Sequence, residues 1–343
     1  MEQNIIDFLT KNTGIKNEQD ILSKYTEEYK NRTVSDDDGI IAHVAANIRN
    51  LNYNGKDYKS AFIIDSVVKE DMRRQGIYTK LYKELESDIK ADIFYAFPLQ
   101  YELINLVDKQ DYKIIGEVEA YAKVLNPQNV ISNGFFAIMA RLINKITQIK
   151  TKNIPYSGYE IKENISTSDV HDLYEKVKSQ YGFMSERNSD WVNSRINNRI
   201  NYKILGTYKD GIEGYIIYKV IERGDLKYFM IMDILYSSRE ALESMYDYLH
   251  EKAKRENVNL IGLWKNSKTS VLIADKRFQN AKSSFPVVVK TDVNDALNIN
   301  NWFLQPIEGE TYWWKKYCIL SVAVIQVVQK HILCLCWERW KIK

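Results

Sequence analysis

Cysteine is almost absent from this chain: all three, Cys318, Cys334 and Cys336, fall within the last 26 residues. The body therefore has neither a disulfide framework nor a zinc spacing, and Cys334-Leu335-Cys336 lacks the histidine pair that would complete a metal site. No metal centre is expected, and the expected setting is reducing and cytoplasmic. Long apolar runs are missing as well; none reaches the roughly 20 residues that a spanning helix needs. The start, MEQNIIDFLT, lacks the basic-then-apolar layout of a secretory signal. Nor does charge of one sign prevail, since 48 basic side chains stand against 45 acidic ones, a formal +3. With no basic block interleaved with aromatics, nucleic acid is not an expected partner. Tyrosine, by contrast, is plentiful at 24 residues, which reads as a compositional habit. At 343 residues the chain has room for two domains with buried cores.

The stretch from Ser60 to Lys83 organises the rest. Phe62, Ile63, Ile64, Val67 and Val68 form a β-branched, apolar run that predicts a mostly buried strand. Arg73-Arg74-Gln75-Gly76 follows, and then Ile77, Leu81 and Leu85 fall on one face of a helix. A basic, glycine-containing turn between strand and helix suits phosphate. Free N–H groups of the first helical turn point into it, the helix dipole adds roughly half a positive charge, and forked guanidinium groups add donors. Gly76 lets the backbone come close to a ligand.

Arg73-Arg74-Gln75-Gly76-Ile77-Tyr78 resembles the R/Q-x-x-G-x-G/A acyl-CoA loop of the GNAT superfamily of N-acetyltransferases, with Tyr78 where the second small residue usually stands. The order of elements agrees: strand, loop and helix, a strand at Asp92 to Phe97, Pro98, a helix, and a strand at Tyr112 to Val124. The resemblance implies an α/β (α+β) fold of mixed, mostly antiparallel sheet flanked by helices. It implies transfer of an acetyl group from acetyl-CoA to an amine, held by Ser66, Val67, Val68, Arg73, Arg74, Gln75, Gly76, Ile77, Tyr78 and Thr79. The amide of Val67 or Val68 would hold the thioester oxygen. Asp65 is a candidate base, with a paired structural aspartate as the alternative. The acid that family members carry as tyrosine falls on Val107, so Tyr101 is the nearest substitute. Leu99 replaces a polar residue of the family, and Asp111 a glycine.

Taken in order, the first 36 residues offer one helix, Glu18 to Tyr29, and a polar turn at Ser35-Asp36-Asp37-Asp38-Gly39, read as solvated. The family's acceptor-side helices therefore look short here. His43 lies in a strand that ends at the hairpin signal Asn54-Gly55 and reads as a packed or exposed histidine rather than a base. Asn133 to Lys150 is an amphipathic pattern best packed between domains, with a membrane-surface role as the lesser alternative.

From Tyr159 the chain starts again. A helix capped at Ser168, a second near Trp191, and strands at Tyr202, Gly214 and Tyr228 repeat the order. Phe62-Ile63-Ile64-Asp65-Ser66-Val67 parallels Met230-Ile231-Met232-Asp233-Ile234-Leu235, and Asp108-Lys109 parallels Asp275-Lys276, an offset of about 167. The expected layout is an acyl-CoA-binding domain at 1–127, a linker at 128–157, a degenerate second copy at 158–311, and an atypical tail at 312–343. In the second copy Ser237-Ser238-Arg239-Glu240 has no glycine, and its carboxylate would repel phosphate. Arg187, Trp191 and Arg195 read as a core tryptophan with surface arginines, or else as a groove lining. The apolar tail reads as a docked segment or a shifted reading frame. The expected partner is a small-molecule or peptide amine, acting on a monomer or homodimer; the alternative function is a CoA-binding pseudoenzyme.

Overall fold

The structure is a computed structural model that describes residues 1–13, 18–22, 24–25, 28–98, 110–125, 158–193, 196, 202–223, 226–276 and 278–309. Helices α1 (Gln3–Thr13) and α2 (Glu18–Leu22) precede strands β1 (Tyr29–Asp36), β2 (Gly39–Tyr53) and β3 (Lys56–Val68). Helix α3 (Ile77–Asp88), β4 (Ile93–Ala96) and β5 (Lys113–Val124) follow. The later part begins with β6 (Glu160–Glu163), α4 (Thr167–Val177), β7 (Met184–Ser185), α5 (Ser189–Val192), β8 (Tyr202–Tyr208) and β9 (Ile212–Arg223). It ends with β10 (Leu226–Tyr236), α6 (Arg239–Arg255), β11 (Leu260–Trp264), α7 (Ser270–Asp275), β12 (Gln279–Thr291) and α8 (Pro306–Gly309).

The strands form one sheet in the order β1-β2-β3-β4-β12-β5-β11-β10-β9-β8-β6, with β7 paired to β2. Among the described strands only β3 with β4 and β10 with β11 run parallel, each joined through a crossover helix, α3 or α6. The order reads alike from both ends, and its centre is an exchange. The last strand, β12, pairs with β4 of the first half, while β5 leaves the first half to pair with β11. The two exchanged strands then pair with each other. Mixed, mostly antiparallel sheet flanked by helices is the fold expected.

Each face of the first half has its own cover. Ala42, Val44, Ala46, Ile48, Ala61 and Ile63 pack with Leu81, Tyr82 and Leu85 of α3. Ile5, Ile6, Phe8 and Leu9 of α1 cover the opposite face near Val67. A bulge decides which residues face which side. The β2–β3 register jumps from His43↔Val67 to Ala45↔Ile64, which leaves one extra residue on β3, and Asp65 takes φ +47°. The bulge reverses alternation, so Val67 turns to the α1 side and Val68 to the α3 side.

Three local expectations are corrected. The helix placed at Glu18 to Tyr29 ends at Leu22, because Tyr29 onward gains a full ladder with β2, from Tyr29↔Asn47 to Asp36↔Gly39. A helix not read from the sequence, α1, precedes a five-residue α2 in the region expected to hold the acceptor-side helices. The cap of α4 is Ser166 rather than Ser168: its hydroxyl accepts from Asp169 N, and the Asp169 carboxylate takes the Ser166 N–H in return. Tyr101, Val107, Leu99, Arg195, the 133–150 pattern and the 312–343 tail lie outside the described residues.

Candidate active site

Two strands that start together and then part make the cleft. β3 pairs with β4 only through Ser60, Ala61 and Phe62, yet runs on to Val68. Beyond Phe62 its far edge has no strand beside it among the described residues. Lys69 N–H donates to Ile41 O at 2.9 Å, so by alternation Val67 N–H also turns toward β2. Val68 N–H then points to the edge that β4 has left. Of the two amides considered for the thioester oxygen, Val68 is the one directed into the cleft.

The turn at the mouth of the cleft is built of backbone donors. A single 3-10 turn, Glu70–Met72, leads to Arg73, and Arg74 and Gly76 take φ +66° and +78°. Gly76 is the N-cap of α3 and supplies no side chain to it. Among the described residues nothing accepts a hydrogen bond from the amides of Arg74, Gln75, Gly76, Ile77, Tyr78 and Thr79. Alternating handedness turns such amides inward as a nest for an anion. Arg73 to Gly76 are exposed, and neither arginine meets a carboxylate among the described residues. The Arg73 Nε–H donates to Val68 O at 3.3 Å, which holds its guanidinium over the end of β3. A Cβ on Gly76 would meet nothing within 4 Å, so in the free protein glycine is required there by conformation rather than by space.

Below the turn, phenol side chains fill the α3 face. Tyr78 and Tyr82 stack at 4.6 Å, and the Tyr82 hydroxyl lies 3.4 Å from Ser66 Oγ. Tyr112 donates to Glu86 at 2.8 Å, and Lys290 of β12 donates to the other Glu86 oxygen at 2.7 Å. Burial pushes the Tyr82 phenol up to about 12, and Tyr78 and Tyr112 well above the ordinary phenol value. These hydroxyls stay protonated, packed between α3 and the sheet.

On the other face, Asp65 is engaged rather than exposed. Its carboxylate takes the Lys24 ammonium on one oxygen and the Tyr25 hydroxyl, at 2.9 Å, on the other. The side chain is 5% exposed. His43, from β2, sits beside it and is buried, with Nδ1 3.1 Å from Asp65 O.

The later part of the sheet shows some of the same local features. β10 and β11 also pair over three residues, from Tyr228↔Leu260 to Met230↔Gly262, and a bulge lies between Ile231 and Asp233. On the internal match, Tyr236 corresponds to Val68. Its N–H donates to the Tyr181 hydroxyl at 2.9 Å, and Ser238 caps α6 by accepting from Ala241 N. Asp233 corresponds to Asp65 and is likewise held by a cation and a phenol, the Arg187 guanidinium at 3.0 and 3.1 Å and the Tyr215 hydroxyl at 2.7 Å.

Arg187 is therefore not a surface arginine. It is fully buried, stacked on Trp191 with 4.4 Å between its guanidinium and the ring, and it also bonds Glu308 at 2.8 Å. Arg49 of β2 closes the chain by donating to Glu308 at 2.5 Å. Two guanidinium groups and two carboxylates cancel in charge, and together they tie β2 to β10 through α8. The sequence did not signal Lys24, Arg49 or Glu308, because their roles depend on partners 41 and 259 residues away.

Residues 4–105 match the family model described as "Acetyltransferase (GNAT) domain". No curated protein matches the chain at a significant level. Among solved structures, the chain is similar to a conserved protein of Enterococcus faecalis V583 described as "Probable N-Acyltransferase", with TM-score 0.60, 16% identity, 84% of this chain and 69% of that one covered. It is also similar to a GCN5-related N-acetyltransferase from Anabaena variabilis ATCC 29413, with TM-score 0.63, 13% identity, and 84% and 71% covered. A GCN5-related N-acetyltransferase from Kribbella flavida aligns at TM-score 0.53 and 10% identity, over 76% and 59%. Identities this low speak for the fold alone. Residues 4–105 thus match a GNAT acetyltransferase domain, and the chain shares its fold with solved proteins described as N-acyltransferases.

Proposed function

We propose that the protein is an N-acyltransferase that moves an acetyl group from acetyl-CoA to a primary amine, by direct attack with both substrates bound. One observation carries the reading: six consecutive amides, Arg74 to Thr79, have no partner among the described residues and stand at the mouth of a cleft edged by Val68. Such a row fits a diphosphate, and the cleft fits an extended arm ending in a thioester. Acetyl-CoA supplies the activated acyl group. The chain supplies position, with Arg73 and Arg74 over the diphosphate, Ser66 along the arm, and Val68 N–H where oxyanion charge develops.

The acceptor is a small molecule or a peptide. A lysine-like amine, with pKa about 10.4, is neutral roughly once in 2,500 molecules at pH 7, a deficit of about 4.6 kcal/mol. A base near the bulge must offset it. We read the second half as a repeat of the first that has lost coenzyme binding, which the Tyr181–Tyr236 and Ser238–Ala241 hydrogen bonds support.

Replacing Arg74 and Gly76 together by alanine is expected to abolish acetyl-CoA binding in a calorimeter. Unchanged affinity overturns the assignment of the loop. Thiol release from acetyl-CoA over a panel of amines then separates a transferase from a CoA-binding pseudoenzyme, which would bind without turnover.

A further inference from the structure

His43 is the one histidine at the bulge, and its geometry fixes which nitrogen carries the proton. Nδ1 lies 3.1 Å from the carbonyl oxygen of Asp65, and a carbonyl can only accept, so Nδ1 bears the hydrogen. Nε2 is then a bare lone pair. It is buried, and it finds no hydrogen-bond partner among the described residues. An unpartnered buried acceptor is costly to keep, by about 1–3 kcal/mol, which calls for a use.

Its location suggests the use. His43 faces Val67 across the β2–β3 ladder, on the α1 side of the sheet, one residue from the amide of Val68. Positions 66 to 69, at the end of β3, are partly exposed, while the His43 ring itself is buried. The titratable groups around it are Asp65 on β3 and Lys24 and Tyr25 after α2, while β1 places Thr33 opposite. Both oxygens of Asp65 are taken by Lys24 and Tyr25, which leaves the imidazole as the acceptor at this corner. Burial pulls its pKa below the ordinary imidazole value, against the Asp65 carbonyl and carboxylate, so the ring is neutral at pH 7.

We propose that His43 Nε2 takes the proton that the acceptor ammonium must lose before its nitrogen attacks the thioester, an inference that rests on the transferase reading. The N–H bond of the ammonium breaks, the proton goes to Nε2, and the freed electron pair forms the new C–N bond. The thioester C–S bond then breaks with its electron pair on sulfur, and the second proton, shed from nitrogen as the amide forms, leaves on that thiolate as the thiol of coenzyme A. The imidazolium returns its proton to water.

Asparagine is the informative replacement, because its amide can still donate to Asp65 O but has nothing at the place of Nε2. With acetyl-CoA and glucosamine, lysine or a tripeptide as acceptor, His43→Asn is expected to lower kcat about 10²- to 10⁴-fold. The acid limb of the kcat–pH profile should disappear, while acetyl-CoA affinity measured by calorimetry stays within twofold. A variant that keeps both kcat and the acid limb overturns the proposal and leaves the transferase reading standing. A wild-type protein that binds no acetyl-CoA, or releases no thiol with any amine, removes both. Long-range proton–nitrogen NMR of the wild type needs no turnover: Nδ1–H with bare Nε2 supports the assignment, and the Nε2–H tautomer overturns it.

Discussion

The hydroxyl of Tyr181 accepts a hydrogen bond, at 2.9 Å, from the backbone amide of Tyr236. That amide holds the position in the second half that Val68 N–H holds in the first, and it turns the same way: Ser237 N–H donates to Glu213 O as Lys69 N–H donates to Ile41 O. The same hydroxyl also donates to Tyr236 O, so one phenol satisfies both groups of the residue. Among the described residues, one half of the sheet thus leaves this edge amide without a partner, and the other supplies one. Calorimetry with acetyl-CoA should give one site per chain. A stoichiometry of two would show that the phenol does not block the second cleft.

Gly76 offers a narrower test. Its φ of +78° is costly for any residue with a Cβ, by about 1–2 kcal/mol, although nothing lies near enough to clash. Gly76→Ala should lower thermal stability modestly and weaken acetyl-CoA binding more than it lowers stability, since the nest itself is deformed. Equal stability and equal affinity would mean that the loop tolerates another backbone shape.

The buried chain Asp233–Arg187–Glu308–Arg49 should behave as a unit. Removing one partner leaves an unpaired charge in the core and should cost about 3–5 kcal/mol in urea denaturation. Asp233→Asn and Arg187→Gln together should cost less than the sum of the two alone. Strict additivity would show that the charges do not depend on each other.

Stability should also depend on pH through His43. Burial holds its folded pKa below the unfolded value of 6.5, so the folded state binds fewer protons than the unfolded one on the acid side. The sign follows: the contribution is complete above 6.5 and is lost as pH falls toward the depressed folded value. Denaturation midpoints measured from pH 8 to pH 5 should fall, and His43→Asn should flatten the decline. A wild-type midpoint that does not change over that range contradicts a buried neutral ring.

Close packing gives the last prediction. A Cβ on Gly182 would lie 2.2 Å from the backbone oxygen of Asn301, beside the bond from Phe183 N–H to that same oxygen. Backbone cannot yield as a flexible side chain does, so Gly182→Ala should destabilise by at least about 1–3 kcal/mol. A neutral effect on the melting temperature would place the 301 segment elsewhere.

Much of this was written in local pattern. The hairpin at Asn54-Gly55, with both residues at positive φ, follows from turn chemistry alone. So does the strand–turn–helix from Ser60 to Lys83, because a β-branched run, a glycine and a helical stripe are all short-range signals. Asp111 shows the same logic at one residue: it stands where the family has glycine, and its φ of +65° is one that aspartate tolerates better than most. Other features were beyond local pattern. Tyr29 has a helical neighbourhood but joins β2, since ladder bonds to Asn47 and beyond outweigh propensity. The bulge that exchanges the faces of Val67 and Val68, relative to the alternation set by Ala61 and Ile63, cannot be seen in the pattern alone.

The sequence by itself determined most of the elements and the glycine-containing turn between β3 and α3, because each depends on residues within a few positions of one another. Tertiary structure alone decided which strands trade places, which carboxylates are held by Lys24 or Arg187, and which amide at the end of β3 turns away from β2. Those outcomes depend on groups brought together from tens or hundreds of residues apart, where burial sets the value of every charge and hydrogen bond.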